Sequence, residues 1–193
     1  SPFELIDGNN KKIMTVDGYN YDKDFDVTLI HSNNKYYILN NQYQEPIEIK
    51  NIDKLSYAEK GFFVANKNNK YGFVDSNGKI IIPIEYDEVQ PFDDFVDLTY
   101  QDVLFGVKKN EKWGFVDSKN KTVIPFMYSE VKGPFSYGIA PVYDGDKLGL
   151  INVKNTKITK FTGRNHSSSS NFGKRAMSLP DGYYNYLGEL EKR

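Results

Sequence analysis

Apolar residues fall along this chain in short runs, separated by clusters of Asn, Asp, Gly, Ser and Lys. Residues 112–125 show the pattern most plainly. Lys112-Trp113-Gly114-Phe115-Val116 leads into a polar turn beginning at Asp117, then Thr122-Val123-Ile124 is stopped by Pro125. Apolar runs of this length, bounded by turn residues, predict β-strands joined as hairpins. No useful window carries a 3.6-residue apolar period, so the predicted fold is all-β.

The same pattern recurs. Anchors equivalent to Trp113 fall at Phe3, Tyr36, Tyr71, Leu148 and Tyr183, giving spacings of 33, 35, 42, 35 and 35 across the six. Three positions after each anchor stand Ile6, Leu39, Val74, Val116, Ile151 and Tyr186. Asp7, Asn40, Asp75, Asp117 and Asn152 come next, with Leu187 breaking the series. A buried strand residue followed by a turn-starting Asp or Asn is what a hairpin corner requires. Before each anchor lies a partner strand, such as Val27-Thr28-Leu29-Ile30 or Phe62-Phe63-Val64-Ala65, closed by Asn- or Gly-rich residues that tolerate positive φ. Pro141 is expected to place its strand at a sheet edge or a bulge. Each repeat then reads as about three short strands plus a connector such as Tyr86-Asp87-Glu88-Val89. The chain is read as a single β-repeat domain over residues 1–193, with both ends inside a repeat. Repeat lengths vary and no fourth strand is legible, which favours an open, twisted stack over a closed, propeller-like ring.

The motif Lys-Trp-Gly-Phe-Val-Asp, polar turn, Val-Ile-Pro, Tyr, Val and Phe resembles the bacterial WG-repeat family. Lys112 to Phe135 carries it best and Lys70 to Phe92 next, with Tyr71-Gly72 and Pro83 in place of Trp113-Gly114 and Pro125. The repeat at Leu148-Gly149 keeps the glycine without the tryptophan, and those at Phe3, Tyr36 and Tyr183 match in spacing and hydrophobicity. The resemblance implies a bacterial origin, a hairpin-repeat architecture and, because such proteins are often exported, a periplasmic or cell-surface setting. It implies no general catalytic activity. Tyr71, Gly72, Pro83, Trp113, Gly114, Pro125 and Gly149 are expected to be structural, the glycines marking close backbone approach.

Composition narrows the function classes. The 25 basic and 26 acidic residues are interspersed, giving a net charge of −1 and no broad footprint for nucleic acid. No apolar run is long enough to span a membrane as a helix. With no cysteine, thiolate catalysis, disulfides and cysteine-ligated zinc are excluded. Fifteen tyrosines and thirteen phenylalanines suit a pleated core. They also suit a binding surface.

The candidate chemistry is sparse. His31 flanks a turn, and His166 stands beside Arg164 and four serines without a placed acid or an oxyanion site. Asp22, Asp24 and Asp26 have the alternating spacing of a calcium loop, but Val27 and Asn33 occupy the places of its glycine and its terminal glutamate. Asp22 also lines up with Asp87 of the connector, which points to a structural role. Neither a metal nor a cofactor is expected.

Two places interrupt the repeat: the acidic insertion between Phe92 and Lys112, and the polar stretch 162–175. Such elaborations map to loops on one face of a repeat protein, often the binding face. Asp97, Tyr100, Arg164 and His166 are therefore the candidate interaction residues. Tyr19, Tyr21, Tyr57, Tyr100, Tyr137 and Tyr143, in connectors or beside turns, are expected to be more exposed than the anchors. The resulting expectation is a non-enzymatic module that binds another protein. A carbohydrate or cell-wall binder using exposed tyrosines is the alternative, and inhibition of a partner toxin is a further one.

Overall fold

The computed structural model describes residues 3–40, 45–92, 103–136 and 138–163, with the backbone of three further short strands near the C-terminus. The chain divides into two compact bodies, Ser1–Glu85 and Tyr86–Arg193.

The first body opens with a two-stranded sheet, β1 (Phe3–Ile6) and β2 (Lys12–Val16). A four-stranded antiparallel meander follows, with β3 (Gly18–Asp22), β4 (Val27–Ser32), β5 (Lys35–Asn40) and β6 (Ile47–Ile49) in sequence order. A second meander contains β7 (Lys54–Tyr57), β8 (Phe62–Lys67), β9 (Lys70–Asp75) and β10 (Ile80–Tyr86). Val27, Ile38, Ile49, Leu55, Phe63, Ala65 and Val74 form the core.

The second body repeats the plan. Its first meander is β11 (Glu88–Val89), β12 (Phe105–Lys109), β13 (Lys112–Val116) and β14 (Thr122–Tyr128). Its second is β15 (Glu130–Val131), β16 (Ile139–Asp144), β17 (Lys147–Asn152) and β18 (Thr162–Gly163). A three-stranded sheet, β19 (Ser178–Leu179), β20 (Gly182–Tyr184) and β21 (Leu190–Glu191), follows. Trp113, Phe115, Ile124, Tyr128 and Phe135 pack with Val142 and Ile151 in its core. Each such side chain, fully buried, contributes about 1.5–3 kcal/mol of transfer free energy.

The fold is thus all-β, made of separate open sheets of short antiparallel strands. Each complete repeat has four strands, one more than the three legible in sequence. The extra strand is the Tyr-acidic connector, reduced in β11 and β15 to two residues and so too short to register as an apolar run. Pro141 also departs from expectation, since β16 is flanked on both sides. Its carbonyl accepts from Lys132 N on the β15 side, just beyond the last β15 residue. The proline nitrogen therefore faces a place where the neighbouring strand has ended, and no ladder bond is lost.

Two polar devices recur and set the register. Between second and third strands the turns are two residues long: Asn33-Asn34, Asn68-Asn69 and Asn110-Glu111, with φ between 49° and 64°. Positive φ at both positions is the type I′ geometry, whose twist matches that of the flanking strands. Asp17, Asp53 and Asp87 at the heads of three of the repeats accept the N–H of Asn33, Asn68 and Asn110 at 2.7, 2.7 and 2.9 Å. Asp17, not Asp22, therefore takes the place equivalent to Asp87. Between third and fourth strands, Asp7, Asp75, Asp117 and Asn152 each accept two backbone N–H groups, two and four residues ahead, through one side-chain oxygen at 2.9–3.0 Å. Asn40 Nδ2 donates to Ser76 O and Asn77 Oδ1 at 2.8 and 3.1 Å.

The fourth strand of one repeat meets the turn of the next through a matched pair. Tyr86 donates to Asn120 Oδ1 at 2.7 Å and Tyr128 to Asn155 Oδ1 at 2.5 Å, both asparagines at φ 61°. In the first body the same place holds Ile49, and the turn residue beneath it is Gly78, at φ 76°. Polar thus meets polar, and apolar meets glycine. Burial, and then the Asp144 carboxylate, raise the Tyr128 phenol above its ordinary value of 10.0. The folded state then holds this proton more tightly than the unfolded chain, so the contribution is intact below pH 10 and falls as pH rises through the folded value. Urea titrations between pH 9 and 11.5 are expected to show an alkaline loss of stability that is smaller in Tyr128→Phe.

Candidate interaction surface

Among the described residues, several of the most exposed large apolar and aromatic side chains stand near the start of the chain. They lie where the β1–β2 hairpin meets β3. Phe3 is 56% and Ile6 48% exposed, and Tyr19 and Tyr21 are 61% and 53% exposed. Gly18-Tyr19-Asn20-Tyr21-Asp22 is a short alternating strand, so the period of two sends Tyr19 and Tyr21 to one face. They stand opposite Ile30 and Thr28 of β4. Within its sheet β3 is an edge strand, so nothing in that sheet lies beyond it. The Phe3 ring meets Tyr19 edge-on, with centroids 5.6 Å apart and planes at 84°.

Carboxylates rim this aromatic group, and most are engaged. Tyr21 donates to Asp26 Oδ1 at 3.0 Å, which together with the nearby negative charge raises its phenol above the ordinary value. Asp22 Oδ1 accepts from the N–H groups of Asp24 and Phe25, and its other oxygen accepts from the Tyr57 hydroxyl. The Asp22-Asp24-Asp26 spacing therefore builds a turn. Among the described residues no group of three or more His, Asp or Glu is placed to hold a metal ion. Glu4 pairs with Lys12 at 2.8 Å, an exposed bridge worth about 0–1 kcal/mol. Beside the hairpin lies a cleft of about 640 Å³ lined by Leu5, Ile6, Lys11, Ile13, Leu39 and Glu45 among others. The arrangement offers aromatic faces, apolar walls and a charged rim. The Tyr21 hydroxyl and the Asp22 and Asp26 carboxylates are engaged in turns and with one another.

Asp97 and Tyr100, and Arg164 and His166, lie outside the described residues. The structural positions lie within it. Trp113 is 6% exposed within the second core, and Tyr71 is half-buried. Gly72 lies beneath the backbone of Ile82 and Pro83, and Gly114 beneath that of Ile124 and Pro125. Gly149 is covered instead by the Phe161 ring. Of the tyrosines expected on the surface, Tyr19 and Tyr21 are exposed, Tyr57 is half-buried, and Tyr100 and Tyr137 lie outside the described residues. Tyr143 is a correction: it is buried, facing Leu148 across the β16–β17 pair. His31 pairs with Tyr36, their rings 4.9 Å apart.

The expectation that the residue three places after each anchor is buried fails at Ile6, which is 48% exposed, and at Leu39, which is half-buried. Val74, Val116 and Ile151 are all 0% exposed. They lie in third strands flanked on both sides, whereas β1 pairs only with β2 among the described residues.

Residues 71–113 and 113–147 match the family described as "WG containing repeat". No curated protein matches the chain. Among solved structures it is similar to one described as a eukaryotic initiation factor, with 9% identity and a TM-score of 0.53 over 86% of this chain and 47% of the other. Similarity to Kluyveromyces lactis Hsv2p gives 11% identity and a TM-score of 0.40 over 75% and 47% of the two chains. For PorZ, a surface component of the type-IX secretion system of Porphyromonas gingivalis, the values are 9% and 0.43 over 87% and 25%. The chain thus spans about half the length of the first two and a quarter of the third. At 9% identity the likeness to the first of these is one of fold alone.

Proposed function

We propose that this chain is a protein-interaction module built from WG-type repeats of bacterial kind, and that it captures its partner at the surface formed by Phe3, Tyr19 and Tyr21. The observation that carries this reading is the exposure of three neighbouring aromatic rings on an edge strand and its adjoining hairpin. Tyrosine supplies large contact area at small conformational cost and is enriched where proteins meet. Asp97, Tyr100, Arg164 and His166, in the two stretches that interrupt the repeat, are the candidates for further contacts with the partner. An exported setting, periplasmic or at the cell surface, accords with the resemblance.

Capture of binding proteins from a bacterial extract by the immobilised chain tests the reading. The Tyr19→Ala/Tyr21→Ala double variant is expected to lose capture by about tenfold or more, as removal of central aromatic anchors does, while melting like the parent. Unchanged capture by the variant would remove the tyrosines from the interface. The carbohydrate alternative rests on the same pair of rings. Retention of the parent chain on peptidoglycan or a glycan array, abolished in the double variant, would replace a protein partner with a sugar.

A further inference from the structure

Resting on the reading of the chain as a protein-interaction module, but not on its tyrosine surface, we propose a second contact. The lysine-bearing end of the β7–β10 meander, around the Asn68-Asn69 turn, binds an acidic segment of a protein partner.

One position of the repeat changes sign here. The N–H groups of Asp17, Asp53, Asp87 and Ser129 bond to the carbonyls of His31, Asn66, Lys108 and Tyr143. The residues that follow them, Gly18, Lys54, Glu88 and Glu130, lie opposite those same partners and are therefore equivalent. Glu88 is bridged to Lys108 at 2.5 Å and Glu130 to Lys132 at 2.6 Å. In the β7–β10 meander a lysine stands where those carboxylates stand. Lys67 and Lys70 close the β8–β9 hairpin directly opposite one another, and Lys50 lies in the connector that leads to β7. Like charges placed opposite in a sheet are destabilising, and an anion seated between them relieves the repulsion. In the β3–β6 and β15–β18 meanders the corresponding lysines are balanced, Lys35 by Glu48 at 3.2 Å and Lys147 by Asp144 across the hairpin. The β12–β13 hairpin repeats the opposed pair as Lys109 and Lys112, but there Glu111 stands in the turn.

Residues 50–54 and 66–70 thus carry four lysines against Asp53, in a chain whose net charge is −1. Asp53 is spent on the turn, accepting Asn68 N at 2.7 Å. Lys50, Lys54 and Lys67 are exposed and have no ion-pair partner among the described residues. Such a local excess attracts an anionic partner, and the setting favours a peptide. The lysines are confined to one turn and one connector, without the extended basic stripe that a nucleic-acid backbone takes. No large apolar side chain is exposed among these residues to enter a lipid surface, since Ile52 is half-buried. Asn51, Asn68 and Asn69 are exposed between the lysines and offer side-chain amides that can bond a peptide backbone.

A fluorescently labelled peptide of alternating glutamate and glycine is the probe. Followed by anisotropy, it is expected to bind the full-length chain saturably at low salt and to be released as salt is raised. The double variant Lys54→Glu/Lys67→Glu puts glutamate where β11 and β15 carry it, and opposite Lys70. It is expected to bind about tenfold more weakly, yet to melt at or above the parent temperature, because a repulsion has been removed. Lys54→Gln/Lys67→Gln, which removes the charges without reversing them, should fall between the two in binding. Tyr19→Ala/Tyr21→Ala should bind the peptide like the parent. No saturable binding, or equal binding by both lysine variants, would overturn the acidic contact and leave capture through Tyr19 and Tyr21 standing. Tighter binding to a single-stranded oligonucleotide or to phosphatidylserine vesicles, lost in the same variants, would overturn it in favour of a nucleic acid or a membrane.

Discussion

Trp113→Ala is expected to lower the stability of the chain by about 3–5 kcal/mol, the usual cost of truncating a large buried aromatic. Trp113 is 6% exposed and shares a core with Phe115, Phe135 and Ile151. It also faces Tyr128 across the β13–β14 pair, and Lys108 Nζ lies 6.0 Å from its ring. The cavity left behind would be walled by residues fixed in three different sheet pairs, so little collapse is available to relieve it. Against a typical total of 5–15 kcal/mol, the loss should appear as a melting temperature lower by roughly 10 °C or more. Circular dichroism melts of parent and variant measure it. A variant that melts normally but has lost its partner would make Trp113 a contact residue instead of a packing one.

The glycine beside this anchor position is expected to be nearly as sensitive, for a different reason. A Cβ at position 72 would lie 2.4 Å from Ile82 O and 2.6 Å from Pro83 O, and one at position 114 would lie 2.7 Å from Ile124 O. These obstacles are backbone, so no rotamer change relieves them. Where β13 meets β14 the register shifts between Trp113 and Phe115, and again between Phe115 and Val116, as the chain around Pro125 crowds over Gly114. The repeat with Tyr37 in the glycine's place shows the other solution. There β5 and β6 pair regularly, Tyr36 with Ile49, Tyr37 with Glu48 and Ile38 with Ile47. A side chain at this position is therefore accommodated where the fourth strand pairs regularly and not where its backbone crowds the third. Gly72→Ala is expected to cost about 3 kcal/mol, the upper end for overpacking. Gly18→Ala, where an added Cβ meets nothing within 4 Å, should be close to neutral. Equal urea midpoints for the two variants would refute the packing account of the glycine.

Much of this was legible in the sequence, and for local reasons. A type I′ turn needs two residues at positive φ, so Asn33-Asn34 and Asn68-Asn69 announce it wherever they stand. An Asp or Asn that accepts N–H groups two and four residues on makes its turn within five residues, so Asp75 and Asp117 carry their structure with them. Tyr143 reads as a turn-flanking residue, yet it lies buried, because the neighbours that cover it come from other strands. The four-strand repeat was hidden because β11 and β15 are too short to carry a period.

The candidate surface was legible only in part. Tyr19 and Tyr21 could be placed on the surface because a connector cannot bury both faces of a short alternating strand. Ile6 was read as a buried strand residue, as its equivalents Val74, Val116 and Ile151 are. Sequence by itself determined the unit of this protein: the strand–turn chemistry that makes a hairpin repeat, and the glycines and prolines that shape it. Only the tertiary structure decided which copies of that unit are covered. Burial depends on whether a second strand lies alongside, and that neighbour is absent beside β1 among the described residues while the residues that would meet it are unchanged in kind.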